Sequence, residues 1–412
     1  MSEKMRAELI DSSTTFSRHF LSNQARFDGE ILRDGGYPLQ TQLKLIRSTV
    51  LVAVIVLSCS PGWSQPFEEL SESSIHRRPV VGAIRWDGWN GPIAGYDIGA
   101  QVEKSLGPQR WHSRLPFYSE VLSETEVRIR ANTQAVMDQE IGYAHRAGLD
   151  YWAFVMYPRD NPQTLGGVDL YLRSSHTSDI NFAMIAQSYT FGDEDIARLI
   201  GYFLQSNYQK VADGRPLLFL AGPQKVEDSA WPDIKKRIEQ LRMAAVKAGS
   251  KRPYIVHLWG WDGAKDVIDW LNLDAIGAYS LNFGDRAAPY AMLASKAQSK
   301  WDDWRATGKK VCPLVTTGWD RRPRVEHPVS WENRDTVDAI EFYYATPTPA
   351  QLAAHLRAAL DWCAKYPSTA DCRVVLIYAW NEFDEGGWLV PSLWPNQGAL
   401  RLEAIRQVLR AF

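Results

Sequence analysis

The sequence predicts an α/β fold, a single-domain (β/α)8 TIM barrel with long loops after strands 1 and 7. Three observations carry that prediction. Eight short apolar runs, rich in β-branched and aromatic residues, recur along residues 79–412. Their hydrophobicity is near-continuous rather than alternating, as strands buried on both faces of a parallel sheet require. Stretches with helical spacing separate the runs, and eight right-handed strand–helix units close on themselves.

The runs are PVVGAIRW (79–86), LDYWAFVMY (149–157), INFAMIAQS (180–188), PLLFLA (216–221), PYIVHLW (253–259), LDAIGAYS (273–280), KVCPLVTTG (310–318) and RVVLIYAW (373–380). Amphipathic segments lie between them at Glu126–Ala147, Glu194–Tyr208, Ala230–Ala248, Ala288–Gly308 and Pro349–Tyr366. Thr348-Pro349 signals a helix start, and Gly148 and Gly308 signal helix ends. Two long excursions interrupt the rhythm, Asp87–Ser123 after the first strand and Asp320–Thr346 after the seventh. Long loops in a compact domain are commonly binding elements or lids, and Trp111, His112 and Arg114 make the first a candidate lid.

Before the barrel the reading changes character. Residues 1–43 are read as a non-native or disordered extension. Residues 44–64 are read as a signal peptide, because Lys44 and Arg47 precede an apolar run, Val50–Leu57, far shorter than the roughly 20 residues that span a bilayer. Gly62-Trp63-Ser64 suits a cut before Gln65, and residues 65–78 follow as a linker to the catalytic domain at 79–412. The expected location is periplasmic or secreted; Leu57-Ser58-Cys59 offers the alternative of a lipoprotein anchored at Cys59. Of the remaining cysteines, Cys363 and Cys372 are spaced for a short disulfide in an exported protein, or all three, with Cys312, are buried hydrophobes.

Composition narrows the function. The 412 residues carry 46 Lys+Arg against 48 Asp+Glu, a formal net charge of -2, so no electrostatic footprint calls for nucleic acid. Neither GxGxxG nor GxxxxGK[ST] occurs, and no His/Cys cluster suggests a metal; no cofactor is expected. Tryptophan is in surplus, 17 against 14 Phe. In this fold the active site lies where strands end. There the sequence places Trp86, Asp87, Trp89, Tyr157, His257, Trp259, Tyr279, Trp319, Asp320, Asn381 and Trp388, the candidate substrate-binding set. Indole faces pack on sugar C–H groups while carboxylates, amides and phenols take the hydroxyls, so a carbohydrate substrate is expected. Trp152, Trp270 and Trp362 are expected to fill space instead, and His257 also suits a core histidine. Arg322 and Arg324 suit either an acidic sugar or a brace for the loop through Asp320, and the brace is the preferred reading.

Glu382 and Glu385 are the candidate catalytic residues. Carboxylates at i and i+3 share a face where a loop begins to turn. Glycoside hydrolysis uses two such groups, one protonated and one ionised, and mutual repulsion with burial separates their pKa values.

The stretches YAWNEFDEGGWLVPS (378–392), TTGWDRRPR (316–324) and VVGAIRWDGW (80–89) resemble the glycoside hydrolase family 99-like group, which includes WbsX-like polysaccharide-locus proteins and lies near glycoside hydrolase family 71. The resemblance implies a retaining, endo-acting hydrolase of an α-linked glycan that needs no metal for its chemistry. It implies that Glu382 acts as base on the sugar 2-hydroxyl, which attacks the anomeric carbon to form a 1,2-anhydro sugar, and that Glu385 protonates the leaving oxygen and then activates water. This chain departs from the family pattern at Phe383, Asp384 and Val390, which leaves the sugar unassigned. Two other readings stand beside the hydrolase: a WbsX-like glycosyltransferase or polysaccharide-biosynthesis protein, and a non-catalytic glycan-binding barrel.

Overall fold

The computed structural model describes residues 78–93, 95–157, 162–187, 190–211, 213–332, 340–394 and 399–412. The expected signal peptide and cleavage site, Cys59, the extension read before them and the expected linker up to residue 77 lie outside the described residues. Arg78, the first of them, is tied down by a two-pronged ion pair to Asp150 (2.6 and 3.1 Å).

Each of the eight apolar runs forms a strand. They are β1 Val80–Arg85, β2 Tyr151–Val155, β3 Asn181–Gln187, β4 Arg215–Ala221, β5 Tyr254–His257, β6 Ala275–Ile276, β7 in two pieces, Lys310–Val311 and Leu314–Thr316, and β8 Val374–Tyr378. All neighbours around the ring are parallel, from β8 through β1, β2, β3, β4 and β5 to β6. The break in β7 falls at Cys312-Pro313, where proline supplies no N–H. Its first piece pairs with β6 and its second with β8, so this one strand closes the barrel.

Helices follow in turn: α1 Ile98–Leu106, α2 Gln134–Ala147, α3 Pro162–Arg173, α4 Asp193–Phe203, α5 Ile234–Lys247, α6 Ala264–Leu271, α7 Tyr290–Ala306, α8 Arg322–Glu326, α9 Pro349–Lys365 and α10 Leu400–Ala411. Eight of these form the outer ring, and α10 packs against both α9 and α2 to complete it. The extra helices, α1 and α8, sit in the two long loops. Among the described residues no helix is long and apolar enough to cross a membrane.

Local signals explain the boundaries. Thr348 caps α9 in a reciprocal box with Gln351, and Gly148 ends α2 in the left-handed conformation at φ 78°. The helix expected from Glu126 starts later, at Gln134. Val127-Arg128-Ile129 alternates buried and exposed side chains and pairs instead with Ser119–Val121, and Thr133 caps the helix by accepting from Val136 N. Inside the barrel Tyr151 stacks on Phe219 across the axis (6.3 Å, 16°). Gly82 makes room for that ring: a Cβ there would lie 2.3 Å from Tyr151. Cys312, Cys363 and Cys372 are buried free thiols, and no disulfide joins Cys363 to Cys372.

Candidate active site

The acid pair is built by a tight turn after β8. Asn381–Glu382 pairs antiparallel with Gly387–Trp388, and Phe383–Glu385 forms one turn of 3-10 helix between them. In that helix i and i+3 eclipse. Glu382 and Glu385 are thereby presented together, while Asp384 turns away and is fully buried. Gly386 closes the turn at φ 81°, and a Cβ there would meet the Asp320 backbone nitrogen at 2.7 Å. That nitrogen donates to Glu385 O (2.7 Å), stitching the loops after β7 and β8 together.

Each acid has one phenol. Tyr279 donates to Glu382 Oε1 at 2.6 Å, and Tyr378, the last residue of β8, donates to Glu385 Oε2. Burial is the largest influence on Glu382, followed by the negative charge of Glu385; together they push its carboxyl up to about 8, against a smaller opposing pull from Arg324. The same burial holds both phenols well above their ordinary range.

Arg324, on α8, does not brace the loop through Asp320. Its Nε and Nη2 take both oxygens of Asp384 (2.7 and 3.0 Å), and its Nη1 reaches Glu332 (2.8 Å) and Glu385. Arg321 pairs with Glu332 and lies 3.8 Å from Glu385. Arg322 is the residue that braces Asp320, with two contacts at 2.8 Å, and Arg114 from the first excursion joins it there. Trp111 adds a bond to Glu326 (2.9 Å), so the expected lid is a wall latched onto the loop after β7.

The predicted aromatic residues divide into two groups. Trp86 and Tyr157 stand near the acids: Trp86 Nε1 donates to the Tyr157 hydroxyl (2.8 Å), and Tyr157 is close enough to Glu382 to feel its charge. Asn381 spans the Trp86 backbone, accepting from its N (2.8 Å) and donating to its O (2.5 Å), so its amide serves β1 rather than an open cleft. Trp89 is wholly buried behind the turn, edge-on to Trp86 (5.7 Å) and Phe383 (4.9 Å). Trp319 packs on Tyr378 (5.8 Å), and Trp388 lies under the Arg401 guanidinium (3.8 Å). Trp259 is buried, with its Nε1 turned to Asp262 O (3.4 Å). The tryptophans around the acids are thus packed rings rather than an open rim. Trp152 and Trp362 are buried as expected, and Trp270 is partly so.

Two candidates are held by buried partners of their own. His257 is a core residue: fully buried, its Nε2 on Pro223 O (2.8 Å), its pKa pushed down to about 4 by burial. Asp87 pairs with Arg85 (2.9 Å), which also holds Glu140 (2.8 Å), in a buried cluster behind β1. Sequence reasoning missed Tyr378, Arg321, Glu332 and Trp331, whose ring tilts against Trp86 at 6.3 Å. Only Tyr378 carried a signal, a polar-tipped aromatic ending the strand four residues before Glu382.

Residues 173–404, more than half of the chain, match the family described as Glycosyltransferase WbsX. No curated protein matches the sequence. Among solved structures, a glycoside hydrolase-like protein is similar at 12% identity and TM-score 0.54, covering 84% of this chain and 97% of its own. An endo-alpha-mannosidase of glycoside hydrolase family 99 from Bacteroides thetaiotaomicron is similar at 14% identity and TM-score 0.47, over 80% of this chain and 96% of its own. At 12% identity the first of these likenesses concerns the fold alone. By its sequence match, this chain belongs to the Glycosyltransferase WbsX family.

Proposed function

We propose that the protein is an exported glycoside hydrolase that cleaves an α-linked poly- or oligosaccharide, endo-acting and retaining, through Glu382 and Glu385. The observation that carries this reading is the buried acid pair at the C-terminal end of β8, with a phenol on each carboxyl and Trp86 and Tyr157 beside it. A site of that kind provides a proton donor and an ionised partner in low dielectric, the two groups that glycosidic cleavage uses. Incubation with α-linked glycans, read by thin-layer chromatography and mass spectrometry, tests it; newly released reducing ends are expected. Proton NMR of the first-formed anomer checks retention. Glu382→Gln and Glu385→Gln each lower turnover by about 10²-fold or more with the fold intact by circular dichroism. Near wild-type activity in either variant removes that residue from the chemistry.

The family's description favours a second reading, glycosyl transfer. Product formed from an acceptor only when a nucleotide-sugar is supplied would establish transfer over hydrolysis. Binding of an oligosaccharide without cleavage on long incubation would mark a non-catalytic barrel.

A further inference from the structure

We infer that Trp331, in the loop after β7, is the platform on which a neutral pyranose unit of the substrate chain stacks beside the acid pair. The inference rests on the carbohydrate reading of the site and adds the residue that grips a sugar ring there.

Most indoles near the acids have no face to offer. Trp89, Trp319 and Trp380 are closed in by packing, and Trp86 and Trp388 are buried. Gly88 backs the Trp86 ring so closely that a Cβ there would lie 2.2 Å from its Cη2. Among the described residues five tryptophans keep exposed surface: Trp231, Trp261, Trp270, Trp331 and Trp394. Trp331 is the one beside the acids. Its ring tilts against Trp86 at 6.3 Å, and Trp86 donates to Tyr157, which feels the charge of Glu382. The Arg324 guanidinium, bonded to Glu385, lies 5.9 Å from the same ring. Tyr157 and Tyr279 are also partly exposed, so phenols for sugar hydroxyls and an indole for sugar C–H groups share one neighbourhood.

The chain holds this indole firmly. Val329 is buried, and Glu332 N donates back to Val329 O (3.3 Å), closing a tight turn that contains Trp331. On one side Ser330 exchanges hydrogen bonds with Gln101 of α1: its N donates to the amide oxygen, and its hydroxyl accepts from the amide nitrogen at 3.0 Å. On the other side Glu332 is buried and accepts from both Arg321 and Arg324. Both neighbours of Trp331 are thus fixed by side chains from other elements while its own ring keeps exposed surface. Leaving a large apolar ring partly in water forgoes burial energy, and fixing its backbone lowers the entropy lost when a ligand settles on it. Arg324 is already shared among Asp384, Glu332 and Glu385, so the charge beside the indole is answered within the protein. The unit that fits is therefore uncharged, with C–H groups for the ring face.

The test is calorimetric titration of the full protein, carrying Glu385→Gln to halt turnover, with α-linked gluco- and manno-oligosaccharides of two to six units. Trp331→Ala in that background should weaken binding about tenfold or more, the loss expected when one apolar ring face goes uncovered, and Trp331→Phe should recover part of it. In the enzyme with both acids, Trp331→Ala should raise KM and keep kcat within about threefold, because stacking away from the reacting atoms binds substrate and transition state alike. A fall in kcat at unchanged KM would make Trp331 mere packing for Arg324 and overturn the inference. Affinity equal to that of the parent would do the same. Oxidation by N-bromosuccinimide, mapped by peptide mass spectrometry, reads the ring directly: Trp331 should react in the free protein and be protected by the oligosaccharide that binds. Undiminished reaction in the complex also overturns the inference. Binding that depends on Trp331 without release of reducing ends would defeat the hydrolase reading and leave the platform standing. Failure of every oligosaccharide to bind would defeat both.

Discussion

Replacing Glu382 by Gln should stabilise the barrel, and should do so only where the native carboxyl is forced to ionise. In the fold this carboxyl titrates at about 8 against 4.5 when solvated. Between those values the folded chain holds a proton that the unfolded chain has released, so stability falls as pH rises from 4.5 toward 8 and levels off above. At about 1.4 kcal/mol for each pH unit of difference, the full cost approaches ~4–5 kcal/mol. A barrel of this length unfolds with an entropy on the order of 0.7 kcal/mol/K, which converts that cost to ~6 °C in Tm. Glutamine keeps the shape and cannot ionise. Scanning calorimetry of both proteins near pH 5 and near pH 9 is the assay: similar Tm values are expected in acid, and the variant should be the more stable in base. An equal Tm difference at both pH values would refute the placement of the proton on Glu382.

Other outcomes follow from the same contacts. Arg324→Met removes the guanidinium that takes both oxygens of Asp384 and should cost about 3–5 kcal/mol in urea unfolding, because Asp384 is fully buried; Arg324→Lys should recover part of it. Asn381→Ala removes both bonds to the Trp86 backbone and should cost about 2–4 kcal/mol, with a shift in tryptophan emission. Loss of stability without that shift would mean that Trp86 is held by other contacts. Burial pushes Cys363 and Cys372 up to about 12, so these thiols and Cys312 should resist a thiol reagent until denaturant unfolds the chain. Reaction under native conditions would contradict their placement.

The barrel was legible because its signal is local and repeated. Buried parallel strands must be apolar nearly throughout, and each of the eight runs marks its strand to within a residue at the start of PLLFLA, including LDAIGAYS, whose strand is only Ala275–Ile276. Helix ends were readable where a capping residue announced them, as at Thr348 and Gly148. The start of α2 was missed because charged Glu126 and the short Val127–Ile129 strand fit a helical face until their pairing partner is seen. The Glu382/Glu385 spacing was equally local, since a single turn decides it.

Local residue patterning carries the order of strands and helices, the rim on which functional residues fall, and the acid pair at the end of β8. Which side chains meet there depends on how the chain folds in space. Arg324 lies 58 positions before Glu382 in the sequence and is brought to the acids by α8. Tyr279 arrives from the loop after β6, and His257, one strand earlier, is turned to Pro223 and buried. Strand periodicity states that a residue is near a rim; it does not state which way the loops fold over it. The charge on a buried carboxyl depends on distances of a few ångströms to groups far away in sequence, and closure of the barrel sets those distances.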